Sequence, residues 1–218
     1  MLRVLIADDH EVARRGIRAL LESHPDWEVC AEAKDGRETV ELASRLKPDV
    51  ILLDIGMPNL NGLEAARQIL AVSPEAAILI LTMHDTDQVV REVLRAGARG
   101  FLLKSDAGRD LVAAVEALQQ QRTFFTTRVN RMVLDGYLGR DNYENGNEDD
   151  SNHVLTTRER EVIQLLAEGK TSKEVASTLN LSVKTAETHR TNLMRKLDLH
   201  SVADLTRYAV RNGIVQVF

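Results

Sequence analysis

The first 121 residues alternate short, almost unbroken apolar runs with amphipathic segments of helix length, and this alternation constrains the fold more than any other feature. The predicted strands are Leu2–Ala7, Glu28–Ala33, Val50–Leu53, Ala77–Leu81 and Gly100–Leu103. The predicted helices are Val12–Glu22, Gly36–Leu46, Leu63–Val72, Gln88–Ala96 and Ala107–Gln120. Strands that are apolar along their whole length are buried on both faces, which is typical of a parallel sheet covered by helices. The pattern predicts a doubly wound α/β domain.

Four of these strands end on polar groups that can bind a metal ion or a phosphate. The groups are Asp8 and Asp9, Asp54, Thr82 and Lys104. Ligands of open α/β sheets bind beyond the carboxyl ends of the strands, so these five side chains are expected to line one pocket. Taken singly, Asp9 or Thr82 is also a good helix cap, and Lys104 is also a good solvated lysine. Their coincidence at four strand ends favours a site.

The residue types of this pocket indicate phosphoryl chemistry. Clustered carboxylates repel one another unless a cation neutralises them, and hard oxygen ligands favour Mg²⁺. Asp54 is then placed to attack phosphorus, because carboxylates are established nucleophiles that form aspartyl phosphates. Lys104 offers a second positive charge and Thr82 a hydroxyl donor to the phosphoryl oxygens.

Composition excludes several classes of protein. The only cysteine, Cys30, cannot form an intrachain disulfide. The longest apolar run, 76–81, is far shorter than the roughly 20 residues of a membrane span, and Met1 leads directly into a strand rather than into a secretory signal. We therefore expect a cytoplasmic protein without a membrane partner.

Charge divides the chain further. Thr126–Leu138 has helical spacing and predicts a connecting helix, whereas Gly139–His153 is acidic and without periodicity, as in a linker. Residues 151–218 hold 10 basic and 7 acidic residues, which predicts a polyanion as the partner of this part only. The expected domains are residues 1–121, a connecting helix and linker at 122–153, and a basic module at 154–218.

The basic module shows helix signals only. Thr156 with Glu159, and Thr171 with Glu174, each form the pattern of a capping box at a helix start. Two further helices are predicted at Val183–Leu197 and Ser201–Asn212. Helices joined by short turns are the geometry of a DNA-reading helix-turn-helix.

The polar face of the helix at 183–197 predicts a major-groove contact, because the second helix of such a motif enters that groove. The predicted base contacts are Glu187, Thr188 and Thr191. The predicted phosphate contacts are Lys173, Lys184, Thr185, His189, Arg190, Arg195 and Lys196. His189 fits a packed histidine equally well. The opposite stripe is predicted to be Val183, Ala186, Leu193 and Leu197.

A net charge of only +3 predicts weak binding by one module, and so a homodimer on paired half-sites. The last helix carries apolar residues that serve either as a dimer face or as the closing layer of the four-helix core. These residues are Val202, Leu205, Tyr208 and Ala209.

The ordered motifs resemble those of a known family. Asp8-Asp9, Asp54 in LLDIGMPNLNG, Thr82 in ILTMH and Lys104 in GFLLK resemble the receiver domain of two-component response regulators over residues 2–120. Leu155–Ile214 resembles the LuxR-type helix-turn-helix of the NarL/FixJ subfamily. The resemblance implies a flavodoxin-like five-stranded parallel sheet of order 2-1-3-4-5, followed by an all-α domain of four helices.

The resemblance also implies the roles of individual residues. Asp54 is the implied phosphoacceptor, Asp9 and Asp54 are direct Mg²⁺ ligands, Asp8 acts through water, and Gly56 offers its backbone carbonyl. These roles imply phosphoryl transfer from a sensor histidine kinase. The implied protein is a phosphorylation-dependent transcription regulator and not a turnover enzyme.

The implied switch pair is Thr82 and Phe101, although Phe101 is equally well explained as a core phenylalanine. Many receivers have a cis Lys-Pro bond where this chain has Lys104-Ser105, and the sequence leaves the geometry of that bond open. The face that rearranges is expected near Arg91–Ala114, where it would release or dimerise the DNA-binding module.

Two other functions agree with part of the sequence. A Mg²⁺-dependent phosphatase that uses an aspartyl phosphate needs an acid two residues after Asp54, and that position is Gly56. A DNA-binding protein that ignores phosphorylation would not need the complete set of pocket residues.

Overall fold

Five parallel strands form one sheet in the order β2-β1-β3-β4-β5, as the resemblance implied. The strands are β1 Leu2–Ala7, β2 Trp27–Ala33, β3 Val50–Asp54, β4 Ala77–Thr82 and β5 Gly100–Leu103. The third and fourth strands run one residue further than predicted, because Asp54 pairs with Leu81 and Thr82 pairs with Leu103 in the ladder. The two polar side chains therefore lie on the last rungs of the sheet.

The structure is a computed structural model that describes residues 1–83, 85–126, 129–131 and 155–215. It divides into two units, Met1–Arg140 and Asp141–Phe218. Of the predicted connecting helix only residues 126 and 129–131 are described, and 129–131 are helical. The rest of that helix and the predicted acidic linker lie outside the described residues. Within the described ranges, no helix has the length and apolar character to cross a membrane.

Five helices cover the two faces of the sheet. They are α1 Glu11–Glu22, α2 Gly36–Leu46, α3 Gly62–Val72, α4 Asp87–Arg95 and α5 Ala107–Gln119. Asp35, Asn61 and Thr86 cap α2, α3 and α4, each by accepting a hydrogen bond from a backbone amide three residues later.

Side chains alternate between two apolar layers, because successive residues of a strand point to opposite faces. On one face Leu5, Ile51 and Ile78 belong to a buried cluster that also holds residues of α3 and α4. On the other face Ile6 and Leu52 belong to a cluster that holds residues of α1 and α5. The sheet is thereby covered on both sides, and the buried polar side chains of its strands, Asp54 and Thr82, lie at strand ends.

In the described part of the second unit, residues 155–215, every regular element is a helix, as predicted. They are α6 Thr157–Ala167, α7 Ser172–Thr178, α8 Val183–Lys196 and α9 Val202–Arg211. Both predicted capping boxes form, with Thr156 and Glu159 at α6 and with Thr171 and Glu174 at α7. A single apolar cluster, which contains Leu165 of α6, joins the four helices.

Gly62 allows α3 to begin directly behind the third strand. A Cβ atom at this position would lie 2.0 Å from the backbone oxygen of Asp54, which is far inside the van der Waals contact distance. Any larger residue must therefore displace α3 or the end of β3.

We expect Gly62→Ala to lower the free energy of unfolding by about 1–3 kcal/mol, because overpacking against backbone cannot relax through a rotamer change. The matched control is Gly108→Ala in α5, where a Cβ atom meets nothing within 4 Å. The control should leave stability unchanged or raise it by at most about 1 kcal/mol. Urea unfolding monitored by circular dichroism measures both, and equal stability of the two variants would contradict this packing argument.

Candidate acidic pocket and candidate nucleic-acid interface

The ends of β1, β3 and β5 bring four of the predicted pocket residues together. The Nζ atom of Lys104 lies 2.8 Å from Oδ2 of Asp8 and 2.9 Å from Oδ2 of Asp54. Asp8, Asp9, His10 and Asp54 each offer one ligand atom, and these atoms all lie within 4.8 Å of one another. The pocket thus combines three carboxylates, one imidazole and one ammonium.

Burial makes the charged state of these side chains energetically costly. Asp8 and Asp54 are buried, and the side chain of Lys104 is 14% exposed. Burial raises the pKa of Asp54; Lys104 lowers it, the charge of Asp8 raises it again, and the net direction is upward. Burial lowers the pKa of Lys104, but the two carboxylates outweigh this effect and the net direction is upward. One ammonium therefore pairs with two buried carboxylates, which leaves negative charge in the pocket. The carboxylate oxygens of Asp8, Asp9 and Asp54 are donors that fit an additional, divalent cation.

Thr82 occupies the end of β4 and is completely buried. It does not cap the following helix, since Thr86 is the N-cap of α4. Asp9 is not a cap either, because α1 has His10 at its N-cap position. The alternative prediction, that Thr82 and Asp9 are helix caps, is therefore wrong.

Phe101, in the middle of β5, is 1% exposed and belongs to the same cluster as Val90 and Val93 of α4. Gly56 donates a backbone hydrogen bond that lowers the pKa of Asp54. The Lys104–Ser105 bond is trans, which answers the question that the sequence left open.

His10 joins the pocket, although the pattern of polar strand ends did not predict it. Its backbone amide donates to Oδ1 of Asp8 at 2.8 Å, and its Nδ1 lies 2.8 Å from Oδ1 of Asp9. The side chain is 53% exposed, so it lies at the rim. Its position directly after Asp8 and Asp9 is the sequence signal that indicates it.

Most of the predicted DNA contacts are exposed. The exposed residues are Lys173, Lys184, Thr185, Glu187, Thr188, Thr191 and Arg195, and the half-buried ones are His189, Arg190 and Lys196. The hydroxyl of Thr188 donates to the Lys184 carbonyl at 2.9 Å. The Nζ atom of Lys196 lies 2.7 Å from Oε2 of Glu159, so this lysine joins α8 to α6.

The buried face of α8 is narrower than the sequence predicted. Ala186 and Leu193 are buried and Leu197 packs beside them, but Val183 is 43% exposed. The prediction that Val183 belongs to the apolar stripe is wrong, because the first residue of the helix precedes the part that packs on the core. In α9, Leu205 and Ala209 are buried in the four-helix core.

The chain thus joins an acidic pocket on a flavodoxin-like sheet to a helix-turn-helix, and this combination defines a class of DNA-binding regulators. Residues 4–116 match the response regulator receiver domain, and residues 153–209 match the bacterial regulatory proteins of the luxR family.

Full-length relatives agree with these matches. The transcriptional regulatory protein LiaR of Bacillus subtilis (strain 168) is 40% identical over 215 residues, which cover 99% of this chain and 100% of LiaR. The oxygen regulatory protein NreC of Staphylococcus aureus (strain MRSA252) is 36% identical over 216 residues, with 99% of this chain and 100% of NreC covered. The chain belongs to the NarL/FixJ-type response regulators and is a DNA-binding transcription regulator of a two-component system.

A solved structure supports the same assignment. RcsB from Salmonella enterica serovar Typhimurium, bound to promoter rprA in the presence of the phosphomimetic BeF3-, has a TM-score of 0.59 and 29% identity. The alignment covers 95% of this chain and 97% of that chain.

The Glu159–Lys196 ion pair predicts a pH-dependent contribution to the stability of the second unit. Burial opposes ionisation of Glu159, but Lys196 and Thr156 outweigh it, so the pKa of this carboxyl lies below its ordinary value of 4.5. A lowered carboxyl pKa stabilises the fold above the ordinary value, and the effect disappears as the pH falls through the lowered pKa.

We expect Glu159→Gln to lower the free energy of unfolding by roughly 0.5–1 kcal/mol at pH 7, because the charge pair is lost. The difference from the wild type should shrink as the pH falls through the lowered pKa. Glu174→Gln alters the equivalent capping position of α7, where Thr171 lowers the carboxyl pKa, and leaves the ion pair intact, so it is the matched control. Urea unfolding at pH 7 and at a series of pH values below 4.5 measures the effect. A difference between Glu159→Gln and the wild type that does not shrink with falling pH would contradict it.

Proposed function

We propose that Asp54 accepts a phosphoryl group from a sensor histidine kinase and that this event controls DNA binding through α8. The observation that supports the proposal most strongly is the position of Lys104, whose Nζ lies within 2.9 Å of both Asp8 and Asp54. The Lys104 ammonium can neutralise the acyl phosphate that forms on Asp54, because Asp8 holds the ammonium beside this carboxylate.

We further propose that the pocket holds Mg²⁺. Asp9 and Asp54 would bind it directly, Asp8 through water, and Gly56 through its backbone carbonyl, which are the hard oxygen donors that this ion prefers. When bound, the ion supplies positive charge to the carboxylates and to the phosphoryl oxygens. Three carboxylates facing one ammonium support this assignment.

The chemical step follows from the residues present. One Asp54 oxygen forms a bond to phosphorus while the bond from phosphorus to the donor breaks, and the bonding electron pair leaves with the donor group. Lys104 neutralises charge on the transferred phosphoryl oxygens, and Thr82 donates its hydroxyl to one of them. Self-phosphorylation and later hydrolysis of the aspartyl phosphate are the only reactions proposed; the protein is otherwise not an enzyme.

The new phosphate adds about 1.5–2 negative charges to a buried site, and Thr82 and Phe101 are proposed to respond as the switch pair. Phe101 belongs to the same buried apolar cluster as Val90 and Val93 of α4, so its movement would alter the packing between β5 and α4. The region 91–114 would then change the dimerisation of the protein. A switch that is nearly complete in both states needs about 5.5 kcal/mol of differential stabilisation.

DNA binding is proposed to use the exposed face of α8 in the major groove of two half-sites, one for each subunit of a homodimer. Glu187, Thr188 and Thr191 would contact bases, and the basic residues would contact phosphates. The hydroxyl hydrogen of Thr188 is engaged by the Lys184 carbonyl, which favours a base contact through its methyl group. A chromosomal target makes the cytoplasm the proposed place of action.

The proposed domain organisation is a receiver domain at 1–121, a connecting helix and linker at 122–153, and a DNA-binding domain at 154–218. The family matches, at 4–116 and 153–209, support this division.

The phosphoacceptor assignment is tested by Asp54→Asn. Fluorescence anisotropy with a selected DNA site should show that acetyl phosphate and Mg²⁺ tighten binding by the wild type about 5- to 150-fold, the usual range of allosteric coupling. Asp54→Asn should abolish this response, because an amide cannot form the acyl phosphate. Asp26→Asn, at an exposed aspartate between α1 and β2 and outside the 91–114 region, should respond as the wild type does. A phosphodonor response that survives in Asp54→Asn would overturn the assignment.

The DNA contacts are tested by two exposed neighbours on α8. Glu187→Ala should relax discrimination at one base pair by about 1–3 kcal/mol, because a base contact is lost. Lys184→Ala should weaken all sequences alike and reduce the slope of log K against log salt by about 1. Binding to single-mismatch sites at several salt concentrations separates the two effects. Identical behaviour of both variants would contradict the assigned roles.

A further inference from the structure

Arg14 is a buried cation in α1 that the function described above does not use. Its side chain is 7% exposed. The Nη1 atom donates to the backbone oxygen of Asp8 at 2.8 Å, and Nε donates to Oε2 of Glu32 on β2 at 3.1 Å. A charge buried to this degree is stable only when it is paired, and Glu32 provides the pairing.

We propose that Arg14 is a positioning residue that sets the geometry of the Asp8–Asp9 corner for Mg²⁺ binding. The inference rests on the proposed function, since it assigns a role towards the same metal site. Arg14 acts on the backbone behind the carboxylates and is not itself a ligand.

The planarity of the peptide bond explains how this contact reaches the ligands. The Asp8 carbonyl and the Asp9 amide lie in one peptide plane, so holding that oxygen also fixes the direction in which Asp9 leaves the strand. Asp8 makes two further bonds with backbone groups. Its amide donates to the Ala33 carbonyl at 3.2 Å, and its Oδ1 accepts from the amide of His10 at 2.8 Å. Without Arg14, the carbonyl side of the corner loses this restraint.

The chemistry of this position requires arginine. A guanidinium presents donors in a rigid planar fork, so one group can bind a carbonyl and a carboxylate in a fixed relative orientation. A lysine ammonium carries the same charge on a single nitrogen and a flexible stem, and it cannot hold both acceptors in that geometry.

Arg18 is a natural control one turn further along α1. Its Nε donates to the other Glu32 oxygen at 2.6 Å, and its Nη1 donates to Glu22 at 2.9 Å. Its side chain is 39% exposed, and both of these partners are carboxylates rather than the Asp8 carbonyl. Burial opposes ionisation of Glu32, but Arg18 and Arg14 outweigh it and the pKa of that carboxyl is lowered. Both arginines thus stabilise the link between α1 and β2, but only Arg14 contacts the corner.

The experiment is a calorimetric titration of Mg²⁺ into the full-length wild type and the variants Arg14→Gln, Arg14→Lys and Arg18→Gln. It is done at a temperature at which circular dichroism shows all four to be folded, and urea unfolding in EDTA records their stability separately. We expect Arg14→Gln to weaken Mg²⁺ binding by about tenfold or more, which is the usual effect of removing a group that orients metal ligands. Arg18→Gln should bind Mg²⁺ as the wild type does.

The sign of the effect separates positioning from charge. Loss of a cation near an acidic pocket should by Coulomb's law tighten Mg²⁺ binding, whereas loss of positioning should weaken it. Arg14→Lys keeps the charge and should stay weaker than the wild type. Wild-type affinity in either Arg14 variant, or equal weakening in Arg18→Gln, would overturn the inference. If Arg14→Gln fails to fold, the same comparison between Arg14→Lys and Arg18→Gln decides. Failure of the wild type to bind Mg²⁺ would instead overturn the proposed function itself.

Discussion

The buried ion-pair cluster of Asp8, Asp54 and Lys104 is the interaction on which the rest of the molecule depends. Two carboxylates and one ammonium are removed from water, at a cost that only close pairing and further hydrogen bonds can offset. The strands supply this pairing because β1, β3 and β5 end at the same edge of the sheet. The remaining negative charge favours a divalent cation, in agreement with the proposed Mg²⁺ site.

Packing and chemistry are coupled at this edge. The backbone of Asp54 lies against Gly62 at the start of α3, and the backbone of Asp8 lies against the Arg14 side chain of α1. A packing glycine and a buried arginine thus lie directly behind two of the pocket carboxylates. The strand that ends before Lys104, β5, also carries Phe101 into the apolar layer beneath α4. The proposed signal from the pocket to α4 would pass through this strand.

In the second unit, helix α8 has one face buried in the helical core and another face exposed. Ala186 and Leu193 hold α8 on the helical core, and most of the predicted DNA contacts on this helix are exposed. Lys196 shows that position on a recognition helix does not alone decide a role, because its ammonium pairs with Glu159 in the structure. Such a lysine can stabilise the unit while its neighbours contact DNA.

The sequence by itself determined the strands, the helices, the capping boxes and the residues at the strand ends, because periodicity and capping are local properties of the chain. Strands β3 and β4 end one residue later than the sequence predicted, because Asp54 and Thr82 have ladder partners on the neighbouring strands. Only the tertiary structure decided that Arg14 holds the Asp8 carbonyl, that Glu32 pairs with Arg14 across 18 positions, and that Val183 stays exposed. These contacts depend on how a helix is rotated and placed against the sheet or core, and residue spacing along the chain carries no direct signal of that placement.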